Sequence, residues 1–146
     1  MQHQDLSADQ ARDLRALAGT IIPASTVYDV PGADDHRIFD DILRSLERDR
    51  DDIVRALSHL AAIGGCAFAD LEAEDRTRTA TAFREVGGAP LAALVRVVLL
   101  CYYRDDRVMR SLGQEPRPPF PLGHVVEQGD WSLLDPVRKR APFYRR

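Results

Sequence analysis

Large apolar residues return at three- and four-residue intervals through most of this chain. Leu14, Leu17, Ala18 and Ile21 follow Ser7 and Gln10, which predicts an amphipathic first helix opened by a capping box. Pro23 stops it, and residues 24–33, with Pro31 and Gly32, read as a loop. Ile38, Phe39, Ile42, Leu43 and Leu46 then form one face of a second helix that starts at Asp34 with acids in its first turn. Ile53, Val54, Leu57, Leu60 and Ala61 form a third group, separated from the second by the charged run 47–52. Two helices with a break near Asp49 are expected, although the spacing also permits one long helix with a charged exposed turn.

Gly64-Gly65 has the pattern of a helix C-cap, and Cys66, Phe68 and Leu71 form a short apolar connector. Residues 73–85 predict a weakly amphipathic helix around Ala80 and Phe83, against the preference of Thr77, Thr79 and Thr81. After Gly87-Gly88, Pro90 suits the first turn of the next helix. That helix is the most hydrophobic in the chain, carrying Leu91, Leu94, Val95, Val98, Leu99 and Tyr102, with Val97 and Leu100 widening its apolar surface. Asp105 can cap a short final helix bearing Val108, Met109 and Leu112, which Gly113 ends. No run alternates apolar and polar residues as a half-buried strand does. The expected fold is all-α: a small helical bundle of about five or six helices over residues 1–113.

The pattern changes after Gly113. Six of the nine prolines lie between Pro116 and Pro142, so residues 114–146 are expected to form an extended proline-rich tail with helix excluded from most of it. Fully extended, it spans at most about 110 Å. Disordered tails lack large hydrophobes, yet this one carries Phe120, Leu122, Val125, Val126, Trp131, Leu133, Leu134, Val137, Phe143 and Tyr144. Such side chains call for a surface to bury against.

Composition narrows the function classes. The 146 residues suffice for one core, and an apolar fraction of 45% leaves little surplus. The longest proline-free apolar run, 97–103, is far shorter than the roughly 20 residues a membrane span needs, so no direct membrane insertion is expected. A net charge of −3 gives no case for nucleic acid. The charge is unevenly spread, with five of the tail's six cations between Arg138 and Arg146.

No catalytic, cofactor or metal set is apparent. Gly64-Gly65 and Gly87-Gly88 lack the GxGxxG spacing and preceding strand of a dinucleotide site. His3, His36, His59 and His124 make no i,i+4 metal pair, and Cys66 and Cys101 have no partner ligand at metal spacing. Both cysteines read as small buried hydrophobes, with a disulfide as the alternative. Asp34-Asp35, Asp40-Asp41 and Asp51-Asp52 point about 100° apart as helical neighbours and read as solvated or helix-start charge. Tyr102, Tyr103 and Arg104 stand at a helix end, either as core packing with a cap or as an aromatic–arginine interface. In the tail, His124 follows Gly123, and a tail lying across a partner could carry it towards that partner's active site.

Three stretches together resemble the small subunit (subunit 3, or gamma) of bacterial gluconate 2-dehydrogenase-type flavoprotein sugar dehydrogenases. LAGTIIP at residues 17–23 with Gly32-Ala33 resembles that family's opening helix, its exit and its entry to the second helix. Phe68-Ala69-Asp70-Leu71 resembles its F-x-x-L element, and CYYRDDRVMRSLG at 101–113 its paired tyrosines, D-x-x-V and closing L-G. The similarity covers roughly residues 14–124, and Gln114 stands where an aromatic often follows. It implies a cofactor-free, non-catalytic subunit in a hetero-oligomer with a large FAD-containing subunit of the glucose–methanol–choline (GMC) class, which oxidises sugars or glycosides. Residues 1–15 lack the twin-arginine export signal common in that family. The expected location is therefore cytoplasmic, with the periplasm as the alternative if the chain is exported with a partner. A stand-alone helical adaptor without a flavoprotein is the alternative function. The expected partner contacts are Tyr102, Tyr103 and Arg104 at the bundle end and Phe120, His124, Trp131, Phe143 and Tyr144 along the tail, with Trp131 the leading anchor.

Overall fold

Ser7 opens the first helix as its sequence predicts. Its hydroxyl accepts the Gln10 N–H at 3.2 Å, while the Gln10 side chain accepts the Ser7 N–H at 2.9 Å, closing a capping box on α1 (Ala8–Ile21). The computed structural model describes residues 6–118 and 120–141. The chain divides into two units, residues 1–116 and 117–146.

The first unit is the expected all-α bundle. The loop after α1 closes through paired backbone hydrogen bonds of 3.0 Å between Ser25 and Val30. Ala33 N–H then donates to Ile22 C=O at 2.9 Å, so the IIP exit and the Gly32-Ala33 pair meet in space. Gly32 is required there, because a Cβ would press on the Asp34 carboxylate and lie 2.9 Å from the Ala24 backbone nitrogen. Helix α2 (His36–Arg44) starts two residues later than its apolar pattern indicates, with Asp35 as the N-cap.

The charged run is a true break. Glu47–Asp49 forms a 3₁₀ turn and α3 (Arg50–Gly64) follows. Leu46 and Asp49 are both buried there, and Asp49 is held by Arg48 and Arg96. At the other end of α3, Gly65 adopts a left-handed φ of 75° and returns its N–H to Ala61 C=O.

A 3₁₀ turn at Phe68–Asp70 buries Phe68 and leads into α4 (Ala73–Val86). The threonines do not prevent this helix. Thr77 and Thr81 donate their hydroxyls to the carbonyls of Ala73 and Thr77, four residues back, while Thr79 and Phe83 pack inward. Tertiary burial outweighs a weak propensity.

Helix α5 (Gly88–Arg104) crosses the core, and α6 (Asp106–Ser111) follows under the cap of Asp105. The buried face of α5 is Ala93, Leu94, Val97, Val98, Cys101 and Tyr102. Leu99 and Leu100, expected in or beside the apolar stripe, are instead exposed. A helix apolar nearly all round carries no directional signal from which its inner face can be read. Every described residue from Leu14 to Val108 that lies in the hydrophobic core belongs to this unit. None of the described helices is long and apolar enough to cross a membrane.

Among the described residues of the second unit, helix is confined to one short stretch. Trp131–Leu134 forms a 3₁₀ turn that runs into α7 (Asp135–Arg138). Asp130 caps the turn, and Pro136 sits in the first turn of α7, where its missing N–H costs nothing. No described residue of these two elements is buried.

Candidate functional site

A strongly charged concavity lies where α2 meets the end of α5 and α6. Arg37, Asp40, Asp41 and Arg44 fall at helical spacing along one face of α2. Across from them, Arg104 ends α5, and Arg107 and Arg110 belong to α6. Together they border a cleft of about 430 Å³.

Most of this charge is spent internally. Arg104 donates from Nε and Nη2 to Asp41 Oδ2 at 2.9 and 2.6 Å, and from Nη2 to Ser45 Oγ at 2.9 Å. Arg107 donates to Asp35 Oδ1 at 2.7 Å, and through Nε and Nη2 to Asp105 at 2.9 and 3.0 Å. The Arg107 hydrogen bond holds the Asp35 carboxyl down at about 2 and lowers that of Asp105. Carboxyls so stabilised stay ionised near neutral pH and make poor proton donors. Burial pushes the Cys101 thiol up, away from a reactive thiolate. The geometry is that of a rivet between helices. Among the described residues, no group of histidine, cysteine and acidic side chains is arranged to hold a metal ion.

The expected contact residues fall into distinct environments. Tyr102 is a core residue, its ring meeting Tyr103 edge-on at 5.3 Å. Tyr103 is the aromatic that reaches solvent at this end of α5, and Arg104 is engaged with Asp41 and Ser45. In the second unit Phe120, His124 and Trp131 are all exposed, and Trp131 Nε1–H donates to Gln128 Oε1 at 3.4 Å. Phe143 and Tyr144 lie outside the described residues. Cys66, expected to be buried, is exposed, because it directly follows the turn at Gly65; both cysteines are free thiols.

Other features were not signalled by local sequence. Asp35 caps α2 as a helix-start charge, and both it and Asp41 are in addition paired with an arginine more than 60 residues away. Asp13, buried on α1, accepts the Ala69 N–H at 2.9 Å and so ties the 3₁₀ connector to the first helix. Its one sequence signal is a carboxylate placed within the apolar stripe beside Leu14 and Leu17. On α5, Leu99 and Leu100 join Tyr103 in an exposed apolar surface.

Comparison with protein-family models, with curated proteins and with solved structures finds no match to this chain.

Proposed function

We propose that this chain is the non-catalytic small subunit of an FAD-dependent sugar or glycoside oxidoreductase, binding a GMC-type large subunit and assisting its folding or stability. One observation carries the binding part of this reading. The second unit leaves Phe120, Leu122, Val125, Val126, Trp131, Leu133, Leu134 and Val137 all substantially exposed. A soluble monomer rarely presents so many large apolar groups over so short a segment without a partner to cover them. The exposed Leu99, Leu100 and Tyr103 on α5 add a second apolar surface. The choice of flavoprotein rests on the resemblance of residues 17–23, 68–71 and 101–113 to the small-subunit family.

Co-expression with an FAD-containing GMC-class large subunit from the same organism tests this. The expected product is a yellow complex with flavin absorbance, and a chain ending at Gly113 should lose most of the large subunit. A colourless chain that never retains the flavoprotein would favour the stand-alone adaptor. Complex formation undiminished by the truncation would remove the tail from the interface.

A further inference from the structure

We infer that residues 130–138 are a preformed recognition helix, which seats Trp131, Leu134 and Val137 in an apolar groove of the partner while an acidic rim of that groove receives Arg138, Lys139 and Arg140. This deepens the flavoprotein reading above and rests on it.

The segment is organised by its own residues. Asp130 Oδ1 accepts the Ser132 N–H at 3.0 Å and the Ser132 hydroxyl at 2.6 Å. Leu133 N–H donates to Asp130 C=O at 3.3 Å, and Lys139 N–H to Asp135 C=O at 3.1 Å. A short isolated helix is marginal in water; here a cap and Pro136 offset part of the nucleation cost. Prior ordering of this kind lowers the entropy lost on binding.

The same backbone aligns the apolar side chains. Residues three apart eclipse in a 3₁₀ turn, which places Leu134 below Trp131. Three further residues of α-helix bring Val137 about 60° round from Leu134. The three are 61%, 41% and 55% exposed, respectively. A row of apolar residues one turn apart is how amphipathic helices enter hydrophobic grooves.

Charge determines the kind of groove. Glu127, Asp130 and Asp135 lie before or early in the helical segment, and three consecutive cations follow Val137. Arg138 meets Asp135 only at 3.5 Å, with both side chains more than half exposed, and Lys139 and Arg140 are exposed as well, so the triplet presents positive charge to an acidic surface. A second copy of this chain is a poorer fit. The apolar groove of its first unit, lined by Ile21, Leu91 and Val95, also carries Arg84, the wrong sign for this triplet.

The test uses the full chain and the co-expressed FAD-containing large subunit. Trp131 is the only tryptophan of this chain, so the chain labelled alone with 5-fluorotryptophan and mixed with unlabelled large subunit gives one fluorine resonance that reports on this segment. The resonance should shift on complex formation and lose its sensitivity to D₂O. Trp131→Ala and the pair Leu134→Ala/Val137→Ala should each weaken binding by about 30-fold. Charge reversal of Arg138, Lys139 and Arg140 to Glu should weaken it by about tenfold at low salt, with the difference fading near 0.5 M salt. Wild-type binding that the apolar variants leave unchanged overturns the recognition helix while sparing the flavoprotein reading. Unchanged or tighter binding by the charge-reversed chain overturns the acidic rim. A fluorine shift that follows chain concentration alone, with dimers in sedimentation, makes a second copy the occupant and overturns the inference. Absence of any yellow complex with the wild-type chain overturns the flavoprotein reading and this inference with it.

Discussion

Arg107 on α6 and Asp35 at the head of α2, 72 residues apart in sequence, are joined by a guanidinium–carboxylate hydrogen bond of 2.7 Å. The same guanidinium grips Asp105. Asp35 caps α2 and Asp105 caps α6, so a single cation neutralises two helix caps and fixes both helix starts relative to each other.

Arg107→Ala should therefore cost more than an ordinary surface substitution. It leaves two largely shielded carboxylates facing one another, and a loss of about 2 kcal/mol is expected. Chemical denaturation of the two proteins measures it. A loss below about 0.5 kcal/mol would mean that water replaces the guanidinium without penalty. Arg107→Lys should fall between, since an ammonium cannot reproduce the two-sided fork.

The same joint gives an acid-sensitive contribution. Asp35 titrates at about 2 in the folded chain against an ordinary value of 3.8. Above about pH 4 both states are ionised and the contribution is fully present. As pH falls towards 2, the unfolded chain takes up a proton that the folded chain does not, and the contribution drains away. Its size, reduced by solvent screening, is on the order of 1–2 kcal/mol. Urea midpoints followed with pH should show the gap between wild type and Arg107→Ala narrowing across that interval.

This joint shows where sequence reading reaches its limit. Ser7 with Gln10 and Gly65 act through neighbours a few residues away, so their roles were legible, whereas the break at Asp49, which the spacing left open, is held in part by Arg96 from a distant helix. The capping role of Asp105 was legible as well. The partners of Asp35 and Asp41 come from a distant helix, and nothing near either aspartate identifies them. Helix α5 failed differently: with apolar residues on every side, its sequence could not say that Val97 and Cys101 turn inward while Leu99 and Leu100 turn out. In the tail, proline content masked a helix, because Pro136 occupies the one turn that tolerates it.

Asp13→Ala should destabilise the bundle by about 1–3 kcal/mol, because it strips the Ala69 N–H of its acceptor where the 3₁₀ connector meets α1. Hydrogen exchange at Ala69 gives a local readout. Exchange should accelerate there well beyond the global change, and an unaltered Ala69 rate would rule out the tie.

The two thiols should separate kinetically. Cys66 is exposed, whereas Cys101 is buried with its thiol pushed up. Alkylation of the native chain near pH 8, mapped by mass spectrometry, should label Cys66 first, with Cys101 following only on unfolding. Equal rates would contradict the packing of α5.

Gly32→Ala should be costly although the substitution is small. The added Cβ meets the Asp34 carboxylate and the backbone of Ala24, and backbone cannot swing aside as a long side chain can. About 1–3 kcal/mol is expected, measurable as a lowered melting temperature. Unchanged stability would show that the loop at 24–33 yields freely.

Val108 is the last described residue in the hydrophobic core, and the second unit begins at Arg117. Changes in residues 117–141 therefore delete nothing from that core. Under the proposed function, selection for a stable bundle and selection for a binding partner would act on different stretches of the same gene, so the tail could be retuned at little cost to the fold.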